Sequence, residues 1–444
     1  MVKWFNKYMK DPKREPVLVD YVRTPLGSNR GTLKRLRGDD MFIHTIKTLV
    51  DRNEAIPVDD YGDVIAGCNS QIGACALDIA KTAALAAHLP MHIPGVSINR
   101  QCASGMQACY FAWMSIATGE KDVVLAGGVE SQNTYPIMAD MNVAMGGTKV
   151  QTFPPNPRIS TNPYIKESEK KYNGEMSGQI NSAEIMGNVW QEKSGLERSE
   201  FRRQLDEIAM LSHKKAGETW DQRAEEIEPI KVPKLDENGK PIVQRNGMLI
   251  EGETEITSRD ESPRPVPEKT NMKKLGRLRG IVKRKTGLLT AGNSCPTSDG
   301  AAATIWTSRG YAEEHGLKIR ASLDSCYACG TDAVLMLTGP IEAAPVALKR
   351  AELTMDDMSV IEINEAFSTV VWASCDGLGL DYKDPRLNPL GGAISIGHPT
   401  GATGCRLIGT ITHQLEASQK SYGIGTLCVG LGMGIAAVVR REGG

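Results

Sequence analysis

Short apolar runs alternate with amphipathic stretches at both ends of the chain, and the middle breaks that rhythm. Residues 16–23, PVLVDYVR, read as a strand entering a loop, and a helix is expected near 41–54. DVIAGCN at 63–69 reads as a buried strand, and the Ala-rich segment 75–88 as a helix. GVSINR at 95–100 is a strand, with Cys102 just beyond it. Over 103–118, Met106, Cys109, Tyr110, Trp113 and Met114 fall at helical spacing, and Gly119 ends the run. DVVLAGG, 122–128, is another buried strand. Strands alternating with helices predict an α/β protein with a largely parallel core.

From 136 to 287 the chain turns rich in Pro, Asn and charge, with an amphipathic piece near 197–217 and a Pro/Gly/charged region over 229–270. A structureless loop of that length does not suit a compact domain. The stretch reads as an inserted, semi-independent subdomain, a lid over a ligand. Regular pattern resumes at 288–306 and runs to the end. NPLGGAISIGHPTG, 388–401, leads into a helix over 402–417 and a strand over 422–428, as SINRQCASG does in the first half. This predicts a duplication, with equivalent loops meeting at one site. The expected division is 16–135 plus 288–310 as one half, 136–287 as the insertion, and 311–444 as the other half.

Composition narrows the function classes. At roughly 150 residues per domain, 444 residues make about three domain-sized units. The 52 basic and 53 acidic residues nearly cancel, so charge gives no reason to expect nucleic acid as a partner. No apolar run approaches the roughly 20 residues that span a bilayer. The first 14 residues hold five basic side chains and no secretory apolar core, and read as a short extension. Ten Cys in a chain this long are too sparse for a disulfide scaffold. They suit a reducing compartment, the cytoplasm or the mitochondrial matrix. Cys326-x-x-Cys329 has no second pair and no nearby His, and reads as ordinary buried thiols.

Four short segments could carry chemistry. Cys102 lies between a strand and a helix N-terminus, where free amide hydrogens and the helix dipole favour a thiolate, with Arg100 close in sequence. It reads either as a nucleophile or as an inert buried thiol. His398 stands between Gly397 and Gly401, beside Pro399; it could accept a thiol proton or donate to an oxyanion, or simply shape a turn. Cys428 opens CVGLGMG, whose glycines suit a tight turn with exposed amide hydrogens or mere close packing. Asn364 and Glu365 could orient a water or ligand, or cap a helix.

Cys102-Ala-Ser-Gly, Gly127-Gly128-Val-Glu130-Ser131, Thr290-Ala-Gly-Asn293, Asn364-Glu365-Ala366-Phe367, Gly397-His398-Pro399 and Cys428-x-Gly430 follow one another in the order seen in thiolases. The opening Val22-Arg23-Thr24-Pro25-Leu26-Gly27 is similar too. The resemblance covers roughly 16–442. It implies the thiolase-like fold, duplicated α/β halves in a five-layered core with an inserted loop domain covering CoA. It also implies an acyltransferase that cleaves or makes the carbon–carbon bond of 3-ketoacyl-CoA thioesters in lipid and fatty acid metabolism.

Carried over residue by residue, Cys102 matches the acylated nucleophile and His398 the base that activates it and helps hold the thioester oxygen. Asn364 matches the residue holding a water in that oxyanion hole. Cys428 matches the cysteine that moves a proton at the acetyl carbon, and the amides of Cys102 and Gly430 the second oxyanion hole. Ala291, Gly292, Cys295, Ala366 and Phe367 fall on substrate-binding segments. Arg264, in Asp260-Glu261-x-x-Arg264, suits stacking near the adenine, or stands as a solvated surface Arg. The basic run 273–285 could steer anionic CoA or form a solvated helix face. No metal or permanently bound cofactor is implied; CoA and acyl-CoA are substrates, and a homodimer or homotetramer is expected.

The chain also departs from the family. Gln179-Ile180 precedes Ser182-Ala183-Glu184 where Met-Gly is common, and Gly178 stands near the place of a frequent His. Cys295 replaces a common Ser or Thr, and Leu431 a common Gly. These changes predict altered substrate preference. Two other readings share the fold: a decarboxylating condensing enzyme, which would not need the second cysteine, and a non-catalytic thiolase-like binding subunit.

Overall fold

The computed structural model describes residues 11–137, 139, 142–145, 149–152 and 156–443. The first ten residues, part of the expected basic extension, lie outside them. The strands of the main sheet are β1 (Pro16–Arg23), β2 (Asp63–Gly67), β3 (Gly95–Ile98), β4 (Val123–Ser131), β5 (Asp299–Ser308), β6 (Ala321–Gly330), β7 (Val360–Ile363), β8 (Tyr422–Val429) and β9 (Met433–Arg441). The longer helices are α1 (Gly38–Arg52), α2 (Ile79–Ala86), α3 (Ser104–Ala117), α4 (Pro163–Tyr172), α5 (Gln179–Ser194), α6 (Arg198–Glu218), α7 (Gly339–Ala351), α8 (Ser368–Leu378) and α9 (Thr400–Ser418).

The sheet runs β7-β8-β9-β6-β1-β5-β4-β2-β3. Its two halves meet at a single short seam, where β1 pairs with β6 through Val17–Ser322 and Leu18–Ala321. Each half repeats one plan. In the first, β2 and β4 are parallel, β4 and β5 antiparallel, and β5 and β1 antiparallel. In the second, β7 and β8 are parallel, β8 and β9 antiparallel, and β9 and β6 antiparallel. The ladder slips at matching points, between Leu18 and Asp20 in β1 and between Leu323 and Ser325 in β6. The expected duplication is therefore present. The expected largely parallel core is not: parallel pairing is confined to β3-β2-β4 and β7-β8, because β5 and β9 return antiparallel.

Five layers result. The central helices α3 and α9 pack on each other between the half-sheets, α1 and α2 cover one outer face, and α7 covers the other. Each interface is a separate apolar core. Met41, Phe42, Ile46 and Leu49 of α1 pack on Val64, Val123 and Leu125. Met106, Trp113, Leu407, Ile408 and Ile411 of the central helices meet Trp306, Leu427 and Val439. Ala343, Ala344 and Ala347 of α7 lie on Ile361, Ile424 and Val438. Fully burying each large apolar side chain contributes about 1.5–3 kcal/mol. Cys326 belongs to the central core and Cys329 to the outer one, on opposite faces of the strand, so the CxxC is two separate core thiols.

Local chemistry sets the helix ends. The expected helix over 75–88 begins only at Ile79, because the Asp78 carboxylate accepts the N–H groups of Ala80 and Lys81 and Leu77 has φ +58°. After Ala117, Gly119 takes φ +82° and ends α3, as its position predicted.

The stretch between β4 and β5 holds α4, α5, α6 and two short antiparallel strand pairs, Asn142–Met145 with Lys149–Thr152 and Ile230–Pro233 with Thr254–Thr257. At the matching point of the second half, β8 passes to β9 in a tight turn. The amphipathic segment near 197–217 is α6; it buries Phe201, Leu205 and Ile208 and packs on α8 and on the short helix Ala393–Ile396. A buried ion cluster ties this stretch to the core. Arg23 of β1 holds Glu226 at 2.8 Å and Asp260 at 2.7 Å, Arg223 holds Asp260 at 3.3 Å, and Thr410 of α9 donates to Glu226 at 2.6 Å.

Candidate active site

The N-termini of α3 and α9 approach closely because their contact residues are glycines. A Cβ on Gly105 would lie 2.6 Å from the Gly401 carbonyl oxygen, and one on Gly404 would lie 2.4 Å from the Met106 nitrogen. Cys102 therefore sits at the start of one central helix, and His398 at the start of the other.

The Cys102 turn is tightly tied. Gln101 adopts φ +48°, a conformation that costs a non-glycine residue energy. Ser104 Oγ donates to the Gln101 carbonyl at 2.6 Å and accepts the Arg100 N–H at 2.9 Å. Cys102 is 2% exposed. Burial pushes its thiol up, against hydrogen bonds from the Gln179 side chain and the backbone N–H groups of Gly430 and of Cys102 itself. Burial therefore works against the stabilisation that the helix terminus offers a thiolate. The Arg100 charge acts on the buried Cys326 thiol.

His398 is held at both ring nitrogens. Nδ1 lies 2.7 Å from Thr403 Oγ1, and the Thr403 hydroxyl donates to the Pro399 carbonyl at 2.8 Å. That hydroxyl has one proton, so it accepts at Nδ1, and Nδ1 carries the hydrogen. Nε2 then keeps its lone pair, toward which Asn364 Nδ2 donates at 3.3 Å. The backbone is clamped too: the His398 N–H donates to Ser298 Oγ at 3.1 Å, and its carbonyl accepts from Gln132 at 3.0 Å. Burial, then the Arg406 charge, push the imidazole down to about 3.

The other predicted residues come to the same place. The Asn364 N–H donates to the Thr426 carbonyl on β8, two residues before Cys428, and Asn364 Oδ1 is buried with no hydrogen-bond partner among the described residues. Neither Asn364 nor Glu365 caps α8, whose N-cap is Phe367. Glu365 instead accepts from Ser212, Asn388 and the Ile394 N–H. Gly430, Leu431 and Gly432 form the β8–β9 turn, with φ +66° at Leu431, so the residue standing for a glycine still takes the left-handed conformation. The Cys295 N–H donates to the Ala366 carbonyl at 3.0 Å, and Ser294 bridges Phe367. Burial, then the charge on Cys102, push Cys295 up to about 12. Burial, then the charges on Cys102 and Cys295, push Cys428 up. Cys428 packs in one apolar cluster with Leu289, Ala366 and Phe367, the segments that also hold Cys295.

Arg264, Ala291 and Gly292 line one cavity of about 350 Å3, together with His213, Lys269 and Ser294. Glu261 lines the same cavity, whereas Asp260 is buried. Asp260 is in the ion cluster, and Glu261 accepts the Ser28 and Thr32 N–H groups. The basic run is not a helix face, since only Met272–Leu275 is helical and the rest is turn and loop.

Sequence reasoning did not assign three groups. Gln179 was visible only as a departure from the usual residue, and Thr403 carried no signal. Glu130, quoted inside a motif, is the anchor of the His398 loop: its carboxylate accepts Thr400 Oγ1 at 2.6 Å and the N–H groups of Asn69, Ser70 and Gly401.

The turn that carries Cys102 and the turn that carries His398, one from each duplicated half, meet at the N-termini of the two central helices of a five-layered α/β fold. The family models for the thiolase N-terminal and C-terminal domains match residues 16–310 and 317–441. The chain belongs to the thiolase family and is an acyltransferase. It is 35% identical over 428 residues to the β-ketoadipyl-CoA thiolase of Acinetobacter baylyi, covering 96% of this chain and 98% of that one. It is 34% identical over 429 residues to the 3-ketoacyl-CoA thiolase of Photorhabdus laumondii, with the same coverage. Human mitochondrial 3-ketoacyl-CoA thiolase superposes with a TM-score of 0.78 at 26% identity, over 97% of this chain and 100% of that one. The Bacillus anthracis acetyl-CoA acetyltransferase gives 0.77 at 29% identity, over 96% and 98%.

Proposed function

We propose that this thiolase cleaves 3-ketoacyl-CoA with CoA to acetyl-CoA and a shortened acyl-CoA, and runs the reverse Claisen condensation, through an acyl group on Cys102. One observation carries the reading: a Cβ on Gly430, in the turn that follows Cys428, would lie 3.3 Å from Oε1 of Gln101, the neighbour of Cys102. The turns of the two halves thereby meet.

The steps follow from the chemistry of these groups. His398 Nε2 takes the Cys102 thiol proton, and the thiolate attacks the 3-keto carbon. The amides of Cys102 and Gly430 hold the resulting oxyanion. The bond between the 2- and 3-carbons breaks, and its electron pair moves into an acetyl-CoA enolate. The imidazolium Nε2–H, with a water held by Asn364, donates to that enolate oxygen, and the Cys428 thiol protonates the carbon. A second CoA thiol gives its proton to the Cys428 thiolate and attacks the acyl thioester. The Cys102 sulfur leaves and takes the proton back from His398. The partnerless Asn364 Oδ1 supports the water-holding role.

CoA is assigned to the cavity at Arg264, Ala291 and Gly292, next to the segment with Cys295, Ala366 and Phe367. Its polar and cationic lining supports this reading. The stretch 136–287 then covers the cofactor-like substrate, and 16–135 plus 288–310 and 311–444 are the two halves. Ten free cysteines support a reducing compartment, the cytoplasm or mitochondrial matrix. No helix among the described residues is long and apolar enough to cross a membrane. A homodimer or homotetramer is supported by the edge of β3, which no strand pairs among the described residues, with Val96 exposed on it. The substrate falls either among fatty 3-ketoacyl chains or among short dicarboxylic ones like the ketoadipyl group in the relatives' names.

The test is Cys102→Ser, assayed for thiolysis with a panel of 3-ketoacyl-CoAs, beside mass spectrometry of the intact protein after acetoacetyl-CoA. Activity should fall at least about 100-fold and the acyl adduct should vanish. Full thiolysis by the variant would remove Cys102 from the mechanism.

A further inference from the structure

Gln179 is the first residue of α5, in the stretch between β4 and β5, and its side chain reaches the nucleophile. Nε2 lies 3.6 Å from the Cys102 sulfur. On its other side it rests against the β8–β9 turn: a Cβ on Gly430 would be 3.2 Å from Nε2. The amide head fits there because residue 430 has no side chain. Its helix is firmly seated. Ser182, Ala183 and Glu184 are buried, and Glu184 accepts the Leu288 and Leu289 N–H groups and pairs with Arg198 at 3.1 Å. An amide donor on such a base is preorganised toward the sulfur.

A thiolate accepts hydrogen bonds more strongly than a thiol, so any donor aimed at the sulfur favours ionisation. The backbone amides of Cys102 and Gly430 are the ones the proposed reaction needs for an oxyanion. Gln179 differs, because its side chain can serve the sulfur while those amides serve the substrate oxygen.

We propose that Gln179 is a catalytic residue of this enzyme, a side-chain donor to the Cys102 thiolate supplied by the inserted stretch and not by either duplicated half. This rests on Cys102 being the nucleophile. In the ground state the amide offsets part of the desolvation of the sulfur. As thiolate forms the contact strengthens, and it weakens again when the sulfur becomes a thioester.

The experiment uses the full chain with Gln179→Met, which keeps the bulk and removes the donor, and Gln179→Glu, which keeps the shape and places an acceptor there. Alkylation of Cys102 by iodoacetamide is followed on the peptide carrying that residue, from about pH 6 to about pH 11.5, spanning a raised thiol ionisation. In Q179M the midpoint should move up by about one pH unit, equivalent to about tenfold less thiolate at pH 7. The kcat/KM for acetoacetyl-CoA should fall by a similar factor, as expected for a lost ionisation-promoting contact. Q179E should move the midpoint further up, and it decides the matter if Q179M does not fold. A wild-type midpoint in the folded variant overturns the role of Gln179. The underlying reading fails separately, if wild-type protein fully alkylated at Cys102 still cleaves acetoacetyl-CoA.

Discussion

His398 and Cys102 have opposite electrostatic biases, and both come from burial. The imidazole is pushed down to about 3 by burial and then by Arg406, and the thiol is pushed up by burial. Near neutral pH the pair is an uncharged imidazole and an uncharged thiol. The kcat/KM profile should therefore show no acid limb near 6.5 from the imidazole, and should rise on the alkaline side as the thiol ionises. A limb centred on an ordinary His value would contradict this. The same burial affects stability. Below about pH 6.5 the unfolded chain takes up protons that folded His398 and His213, the latter pushed down to about 4 by burial and then by Arg264, refuse. Melting temperature should fall between about pH 7 and about pH 5, the range in which an unperturbed His titrates. Thr403 acts on the tautomer. Thr403→Val strands the Nδ1 hydrogen in a buried site, a penalty of about 1–3 kcal/mol. We expect kcat on acetoacetyl-CoA to fall about 10–100-fold if that whole penalty reaches the transition state, and Thr403→Ser to keep most of it.

Helices α3 and α9 bring the two turns together, and their glycines set the separation. Gly404→Ala would press a methyl to 2.4 Å from the Met106 nitrogen, a backbone atom that cannot move without shifting α3. The cost should be at least about 1–3 kcal/mol, read as a lower midpoint in chemical denaturation, with activity lost alongside it. Much of this layer was legible beforehand. The strand over 16–23 matches β1 residue for residue, the segment 103–118 is α3 within a residue at each end, and 402–417 falls inside α9. These have strong periodicity and glycine or proline at their ends. The helix expected over 75–88 was cut short by its Asp78 cap and the left-handed Leu77, features that composition does not display. The antiparallel return of β5 was illegible because a buried strand reads alike in either direction.

Across the whole molecule, the ion cluster around Asp260 joins β1, the inserted stretch and α9. Burial alone would raise the Asp260 carboxyl, but Arg23 and then Arg223 hold it below its ordinary value. Asp260→Ala leaves two buried guanidinium groups without that carboxylate, and should destabilise the fold by about 3–5 kcal/mol in a denaturant titration. Because the cluster borders the stretch that carries Gln179 and Arg264, partial unfolding of that stretch should appear first in hydrogen exchange at α5 and α6.

The ordered motifs of Cys102, Asn364, His398 and Cys428 were readable along the chain because each reacting group needs small or turn-forming neighbours, and those are visible residue by residue. They specified the reaction class. The chain order could not say which side chains finish the environment. Gln179 lies 77 positions from Cys102 yet touches its sulfur. Thr403 matters through one shared proton. Such effects depend on direction and distance in space, which a linear order of residues does not contain. How deeply folding buries Cys102, and so how far desolvation opposes the helix terminus, likewise followed only from the tertiary structure.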